Sequence, residues 1–256
     1  MDGGPFQIVI APPCQSRDVQ SIAVTRTLLI IDEATWTFPA LPRYSSRLTT
    51  RNSSLATLRE NLDYLRDFLI LHLIPEGMVF LVADPWSKEL CAPLLLPLRE
   101  QYREGVRLLR AGLRNKDCLA WGAMSLKGLG PGLTPSGDDF LCGVLTGLFL
   151  LEYLTRITTK MTRDEILSCA LGENPISNSL LRSCAEGHFL RRLRDFLEAL
   201  TNGDRTAVVA NASRMLEFGA TSGRDLSTGL YLILEYLFTD PIGGFVPNCR
   251  EVETIQ

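Results

Sequence analysis

A glycine-rich segment at residues 128–139, with the sequence GLGPGLTPSGDD, has the composition of a ligand-binding loop. Its three glycines at every second position permit positive φ angles and let backbone N–H groups approach a ligand closely. Ser136 and Asp139 have the spacing of a helix N-cap and its reciprocal acceptor, which predicts that an apolar helix begins there. The free N–H groups at such a helix start bind small anions, so we expect a phosphate or carboxylate site.

Two adjacent acidic residues, Asp138 and Asp139, stand at this predicted helix start, and three interpretations account for them. In the first, they only cap the helix and complement its dipole. In the second, they bind a divalent cation such as Mg²⁺, which in turn holds an anion. In the third, they accept hydrogen bonds from the NH₂ group of an amide or carbamoyl substrate.

Two common nucleotide-binding loops are excluded for this segment. No Gly-Lys-Ser/Thr triplet follows the glycines, so the segment is not a Walker loop. The G-x-G-x-x-G spacing of dinucleotide-binding proteins is missing, and the residues before the loop have a helical rather than a strand pattern.

A second segment at residues 221–230, TSGRDLSTGL, repeats the pattern of the first. In both, Ser-Gly-x-Asp opens an apolar helix, and a glycine (Gly143 or Gly229) follows one helical turn after the aspartate. Glycine inside a helix costs about 1 kcal/mol relative to alanine, and close packing between two helices would explain that cost. We therefore hypothesise that the two helices pack as a pseudo-symmetric pair, with both capped N-termini facing one pocket.

The elements that must position these segments are of two kinds. Four short apolar runs near the N-terminus predict strands: residues 6–11, 27–31, 35–38 and 78–83. Among them, leucines at steps of three and four predict a helix with one stripe facing a core: Leu55, Leu58, Leu62, Leu65 and Leu69. From about residue 97 onward the pattern is helical.

These patterns predict an α+β fold with a small β-rich N-terminal part and a larger all-helical C-terminal part. The β-rich region is expected to span residues 1–90, and the helical domain with its pseudo-repeated glycine-loop and helix pair residues 91–240. Residues 241–256, after Pro241, are expected to form an irregular tail.

The overall composition narrows the class of protein. In a chain of 256 residues, a hydrophobic share of 46% is enough for a real core and excludes disorder as the main state. A net charge of −3 argues against dedicated nucleic-acid binding, and two histidines exclude a His-rich metal site. Seven cysteines without a C-x-x-C pair, no signal-peptide pattern and no apolar run near the ~20 residues of a membrane span predict a cytoplasmic protein.

Three blocks of the sequence resemble the signature segments of a bacterial family of uncharacterised domains: GLGPGLTPSGDDFLCGVL, NSLLRSCAEG and GATSGRDLSTGL. This family has carried the label of carboxylase, and it includes the AllH subunit of the oxamate carbamoyltransferase of allantoin breakdown. The resemblance spans roughly residues 98–240. One departure is Ala220, where the family commonly has histidine.

The resemblance implies a subunit that acts with other chains to move a carbamoyl group between oxalurate and phosphate, giving oxamate and carbamoyl phosphate. One alternative is a non-catalytic subunit that binds a small carboxylate or serves as a scaffold. Another is an acyl- or carboxyl-transfer protein, after the family's earlier label. The expected partners are a carboxylate or phosphate ligand and the other subunits, with no nucleic acid and no membrane.

The candidate site residues come from both glycine-containing segments. Asp138, Asp139 and Asp225 are expected to orient amide groups or a metal ion. The residues expected to contact the substrate are Gly130, Gly132, Thr134, Ser136, Gly137, Thr221, Ser222 and Gly223. The cofactor is left unknown, with Mg²⁺ at Asp138 and Asp139 as the one candidate, and no dedicated metal site is predicted. Because no nucleophile–base pair is visible, electrostatic positioning is the expected contribution to chemistry.

Overall fold

A computed structural model describes residues 22–24, 28–37, 44–48, 53–83, 96–114 and 116–239 of the chain. The chain divides into two compact units. The smaller unit is Phe6–Ser45, and the larger one contains everything from Ser46 onward together with the first five residues.

The smaller unit contains a three-stranded antiparallel sheet in the order β1 (Ile22–Val24), β2 (Leu28–Ile31) and β3 (Ala34–Thr37). A two-residue turn joins β2 to β3, and its Asp32 has a positive φ of 52°. Aspartate tolerates this left-handed conformation better than most residues, which suits a tight hairpin.

The described residues of the larger unit form helices joined by loops and contain no strand. Its helices are α1 (Leu55–Leu71), α2 (Leu96–Gly112), α3 (Lys116–Leu126), α4 (Ser136–Thr155), α5 (Lys160–Ala170), α6 (Pro175–Glu186), α7 (Arg191–Asn202), α8 (Arg205–Leu216) and α9 (Ser222–Thr239). A short 3-10 helix, Val79–Leu81, lies between α1 and α2. None of the helices in the described residues is long and apolar enough to cross a membrane.

The apolar helix α4 lies at the centre of this unit. Nearly all of its residues from Ser136 to Leu151 are buried, and α3, α5, α6 and α9 pack around it. Helix α1 packs against α7, α8 and α9 through the predicted leucine stripe, whose members from Leu58 to Leu69 are buried. The helical unit therefore includes residues that the sequence analysis placed in the N-terminal region.

The expectation of an α+β fold with a β-rich N-terminal part is wrong, because the described residues are mostly helical. The runs predicted at 27–31 and 35–38 overlap with β2 and β3, which are short. The run at 78–83 forms the 3-10 helix instead of a strand, with Met78, Val79 and Phe80 buried in the helical core. A short apolar run has no period that distinguishes a strand from another buried segment. The predicted strand at 6–11 and the tail at 241–256 lie outside the described residues.

Candidate functional site

The starts of α4 and α9 lie side by side. The Thr134 hydroxyl is 3.1 Å from the Ser222 hydroxyl, and the Ser136 hydroxyl is 3.4 Å from the Thr221 hydroxyl. In each pair either oxygen can donate. Four of the predicted site residues (Thr134, Ser136, Thr221 and Ser222) therefore form one hydroxyl layer that joins the two helix starts.

Two glycines allow this close approach of the helices. A methyl group at Gly143 would overlap the carbonyl oxygen of Leu226 on α9, and one at Gly229 would overlap the carbonyl oxygen of Phe140 on α4. Each helix thus places its backbone directly on the other at matching positions. The predicted packing of the two helices is confirmed, and it explains why both carry a glycine in their second turn; the shared pocket at their N-termini stays a prediction.

The segments before the two helices are also equivalent. The Gly137 N–H donates to the carbonyl oxygen of Leu129 at 2.9 Å, and the Gly223 N–H donates to that of Phe218 at 2.8 Å. Both amides are therefore already used within the chain. Their predicted role as donors to a bound anion stays a prediction, and it requires that these bonds open.

Ser136 is not the N-cap of α4 as expected. Pro135 is the N-cap, without a side-chain hydrogen bond, and Ser136 is the first helical residue. Its hydroxyl is turned toward Thr221 in the other segment instead of toward its own helix. The spacing from Ser136 to Asp139 therefore reflects contacts between the two helices, which a sequence pattern cannot separate from a capping box.

Asp139 lies beneath the hydroxyl layer and is 2% exposed. Its Oδ2 accepts a hydrogen bond of 3.0 Å from the Thr134 hydroxyl. Burial raises the pKa of Asp139 to about 7; hydrogen bonds from Ser222 and Thr134 oppose that rise, and the nearby charge of Asp225 adds to it. This carboxyl group therefore titrates near neutral pH.

Asp225 is the corresponding residue of α9 and is fully buried. Its Oδ1 accepts a 2.6 Å hydrogen bond from the Met78 backbone N–H. Burial raises the pKa of Asp225 to about 6, while the facing hydroxyl of Ser136, the Met78 amide and the Thr221 hydroxyl lower it. Its Oδ2 is buried without a hydrogen-bond partner in the structure. The two aspartates are thus alike in burial and pKa but differ in how their oxygens are satisfied.

Asp138 has a structural contact instead. Its Oδ1 accepts a 2.7 Å hydrogen bond from the Gly128 N–H, which closes the glycine loop onto the helix start. The equivalent residue of α9, Arg224, donates to the carbonyl oxygens of Leu216 at 3.1 Å and Ala220 at 3.2 Å. Both side chains tie the preceding segment to the helix, whereas no side chain caps the start of α4.

The predicted ligand-contacting glycines of the first loop have different surroundings. Gly130 and Gly132 both have positive φ angles, of 109° and 107°. A Cβ at Gly130 would lie 2.5 Å from the Tyr102 hydroxyl oxygen, whereas one at Gly132 would meet only the carbonyl oxygen of Thr134, at 3.8 Å. Gly130 is therefore needed for packing, and Gly132 lies in the exposed part of the loop with Leu133, which is 72% exposed.

Several residues that complete this region were not found by the sequence analysis. Met78 supplies its amide to Asp225, and Tyr102 on α2 is 1% exposed with its hydroxyl beside Gly130. Gly77 has a φ of 74°, and a Cβ there would lie 2.5 Å from Oδ1 of Asp225. The Pro-Glu-Gly sequence at 75–77 is a turn signal, but nothing in the sequence pairs that turn with α9.

The third sequence block lies on α6, which packs against α4. The Asn174 side chain caps α6 and also donates a 2.7 Å hydrogen bond to the Leu133 carbonyl oxygen, so it anchors the glycine loop. Cys184 of α6 and Cys142 of α4 are both buried. The hydrogen bond between their thiols and burial raise the pKa of Cys142, so its thiol stays protonated.

A serine–histidine contact elsewhere in the molecule does not form a nucleophile–base pair. The Ser46 hydroxyl is 2.8 Å from Nδ1 of His188, and the guanidinium of Arg47 is 3.0 Å from Nε2. Because arginine can only donate, Nε2 is the acceptor and the imidazole proton is on Nδ1, directed at Ser46. This histidine therefore cannot take a proton from the serine.

No group of three or more histidine, cysteine, aspartate or glutamate side chains is arranged to hold a metal ion among the residues that the structure describes. One oxygen of Asp138 accepts from the Gly128 N–H, and one oxygen of Asp139 accepts from the Thr134 hydroxyl. Magnesium binding by this pair stays a prediction.

Two crossed helices with buried carboxyl groups under a shared hydroxyl layer define a helical protein with a candidate small-ligand site. Residues 126–234, which include both helix starts, match the family model described as oxamate carbamoyltransferase subunit AllH. The resemblance predicted from the sequence is thereby confirmed for this segment. No solved structure matches the chain.

Proposed function

We propose that this protein is an AllH-type subunit of a cytoplasmic carbamoyltransferase and that the paired starts of α4 and α9 form its ligand site. The observation that carries the proposal is the position of the family match. Residues 126–234 contain both helix starts, the hydroxyl layer and both buried aspartates. The part of the chain related to that subunit is thus also the part with unusual chemistry.

The proposed reaction converts oxalurate and phosphate into oxamate and carbamoyl phosphate. The bond between the carbamoyl carbon and the oxamate nitrogen breaks, a bond from that carbon to a phosphate oxygen forms, and the nitrogen receives the proton. The substrates offer N–H groups, carboxylate and phosphate. Carboxyl groups with pKa values of about 7 and about 6, at Asp139 and Asp225, suit hydrogen bonding to such N–H groups near neutral pH.

The contribution of this chain is positioning and electrostatics. The Ser46–His188 contact has its proton on the imidazole, and the Cys142 thiol is held protonated, so neither supplies a nucleophile with an available base. Holding reactants in a productive geometry is itself a large part of catalysis. We expect the remaining catalytic groups to come from the other subunits.

The proposal is tested with the tagged chain purified together with its natural partner subunits. Phosphorolysis of oxalurate is measured for the wild-type assembly, for Asp139→Asn and for the matched exposed control Asp164→Asn. We expect the control to retain full activity and Asp139→Asn to lose about a hundredfold, as is typical when one positioning group is removed. Full activity of Asp139→Asn, or of an assembly without this chain, would contradict the proposal.

A second candidate, a non-catalytic scaffold subunit, is favoured by one observation. The Gly137 and Gly223 amides at the two helix starts already donate within the chain, as a purely structural pair would. Thermal unfolding separates the two functions, because a ligand that binds the folded state raises its melting temperature. Carbamoyl phosphate, oxamate and oxalurate are the compounds to test. A rise with any of them supports the ligand site, and no rise supports the scaffold.

A further inference from the structure

One carboxylate oxygen in the candidate site, Oδ2 of Asp225, lacks the hydrogen bond that the equivalent aspartate on α4 forms. Asp225 is fully buried, its Oδ1 is bound by the Met78 N–H, and its Oδ2 has no hydrogen-bond partner in the structure. Asp139, at the same place on α4, has its Oδ2 bound by the Thr134 hydroxyl. A buried acceptor left without a donor is costly and uncommon in native proteins, so this oxygen requires an explanation.

The neighbouring hydroxyl groups do not supply that donor. Ser136 and Thr221 both face the carboxyl group, but their hydroxyl oxygens are 3.4 Å apart and paired with each other. The Tyr102 hydroxyl is directed to the carbonyl oxygen of Leu129 at 3.5 Å. In the structure none of these hydroxyl groups forms a hydrogen bond with Oδ2, and Ser136 and Thr221 face the carboxyl group from the two helix starts.

The opposite side of Asp225 is closed by backbone. The Gly77–Met78 segment lies on the carboxyl group so closely that a Cβ at Gly77 would be 2.5 Å from Oδ1. The Met78 amide fixes Oδ1 and so fixes the direction of Oδ2. An acceptor held in this way binds a donor in one orientation and repels a second carboxylate or phosphate oxygen at the same place.

We propose that Oδ2 of Asp225 is the specificity-determining acceptor for an N–H group of a small amide or carbamoyl ligand bound at the paired helix starts. This inference rests on the proposed function and adds which atom distinguishes an amide from a carboxylate. Because Asp225 is fully buried, the ligand reaches Oδ2 only when side chains of the hydroxyl layer move aside while the Met78 hydrogen bond stays in place. The hydroxyl layer, whose Thr134, Thr221 and Ser222 are half-buried, is the approach from solvent.

The test uses two ligands of nearly the same shape, oxamate and oxalate, which differ by an NH₂ group in place of a carboxylate oxygen. Binding to the full chain is measured by titration calorimetry for the wild type, Asp225→Asn and the exposed control Asp164→Asn. We expect the wild type and the control to prefer oxamate at least tenfold. Asparagine offers an N–H donor in place of an acceptor, so Asp225→Asn is expected to lose or reverse that preference.

A second comparison uses only the wild-type chain, so it tests recognition of the ligand N–H group even if Asp225→Asn fails to fold. N,N-dimethyloxamate keeps the carboxylate and carbonyl groups of oxamate but has no N–H, and we expect its binding to the wild type to be at least tenfold weaker. Equal binding of oxamate and oxalate by the wild type, no binding of either, or an unchanged preference in Asp225→Asn would overturn the inference. An assembly that still phosphorolyses oxalurate in that case would leave the proposed function standing.

Discussion

The starts of α4 and α9 pack against each other in equivalent ways, but the loops and the side-chain contacts that hold them differ. The loop before α4 has nine residues (127–135) with three glycines of positive φ, whereas the loop before α9 has five (217–221) with one, Gly219. After the first loop, Asp138 accepts an N–H; after the second, Arg224 donates to carbonyl groups. An acidic side chain therefore holds the loop before α4, and a basic side chain holds the loop before α9.

The difference in loop length shows which loop residues the packing of α4 against α9 requires. The five-residue loop is sufficient to bring α9 onto its partner, so the longer loop contains residues that capping does not need. Among these, Gly132 and Leu133 lie in the exposed part, while Gly130 packs on Tyr102. The surplus of the first loop is therefore the part that is free to serve a ligand or another subunit.

The largest effect is expected where the two halves are most alike. Replacing Gly143 or Gly229 by alanine puts a methyl group into a carbonyl of the partner helix, and no side-chain movement relieves an overlap with backbone. We expect each substitution to reduce the free energy of unfolding by about 3–5 kcal/mol, measured by urea denaturation. Gly172→Ala, where the nearest atom is a lysine side-chain carbon at 3.4 Å, is the matched control. If Gly229→Ala had little effect on the free energy of unfolding while Gly143→Ala had a large one, the packing of the two helices would not be symmetric.

The second-largest effect is expected from the buried carboxyl groups, which make the free energy of unfolding depend on pH. The pKa of Asp139 is about 7 in the folded state, above its ordinary value of 3.8, so the folded protein keeps this proton from about pH 4 to pH 7 while the unfolded chain loses it. Its contribution to stability is therefore complete below about pH 4 and is lost as pH rises to about 7. The loss has an upper limit of about 4 kcal/mol, at 1.36 kcal/mol per pKa unit.

Asp225 acts in the same direction over a shorter range, because its pKa is about 6. Unfolding of the wild type and of Asp139→Asn is compared at pH 5 and pH 8. We expect the variant to lose less stability than the wild type between these two values. Equal losses would contradict the assignment of the raised pKa to Asp139.

The two fastening side chains give a smaller effect that tests their equivalence. Asp138→Ala leaves the Gly128 amide without its acceptor, and we expect a cost of about 1–2 kcal/mol. Asp138→Asn keeps the acceptor and should stay within about 0.5 kcal/mol of the wild type. Arg224→Ala is expected to cost about 1 kcal/mol, since carbonyl groups near the surface regain water. A cost from Asp138→Asn as large as that from Asp138→Ala would mean that its charge, rather than its hydrogen bond, is needed.

The smallest effect on stability is expected at the exposed part of the longer loop. Leu133→Ser removes a side chain that is 72% exposed, so the free energy of unfolding should change by less than about 0.5 kcal/mol. If the loop contacts another subunit, the same variant weakens recovery of the assembly from cells. A marked loss of stability in the isolated chain would show that the loop belongs to the core after all.

The pairing of α4 and α9 could be predicted from the sequence because both partners carry the same local pattern. A repeated Ser-Gly-x-Asp and a glycine one turn later are each visible within ten residues, and two glycines at matching positions indicate a contact. The leucine stripe of α1 was predictable for the same reason, since its period is local.

The contacts that complete the site could not be predicted, because they join residues with no shared pattern. Nothing in the sequence pairs the amide of Met78 with Asp225 or the hydroxyl of Tyr102 with Gly130. The error at 78–83 has the same origin, since six apolar residues fit a strand equally well until packing against the helices decides. Ser136 was assigned to its own helix because a local rule cannot recognise a partner 85 positions away.

The hydrogen bond between Met78 and Asp225 also has a consequence for how the protein is made. The two residues are 147 positions apart, so at about 5–20 residues per second roughly 7–30 seconds of translation separate them. During that interval the nascent chain carries the Gly77 turn, and once Thr155 has been added it also carries the apolar surface of α4, without the helix that packs on both. A ribosome that stops before α9 therefore releases a product in which the α9-facing side of its most hydrophobic helix is exposed, a surface that chaperones and proteases recognise.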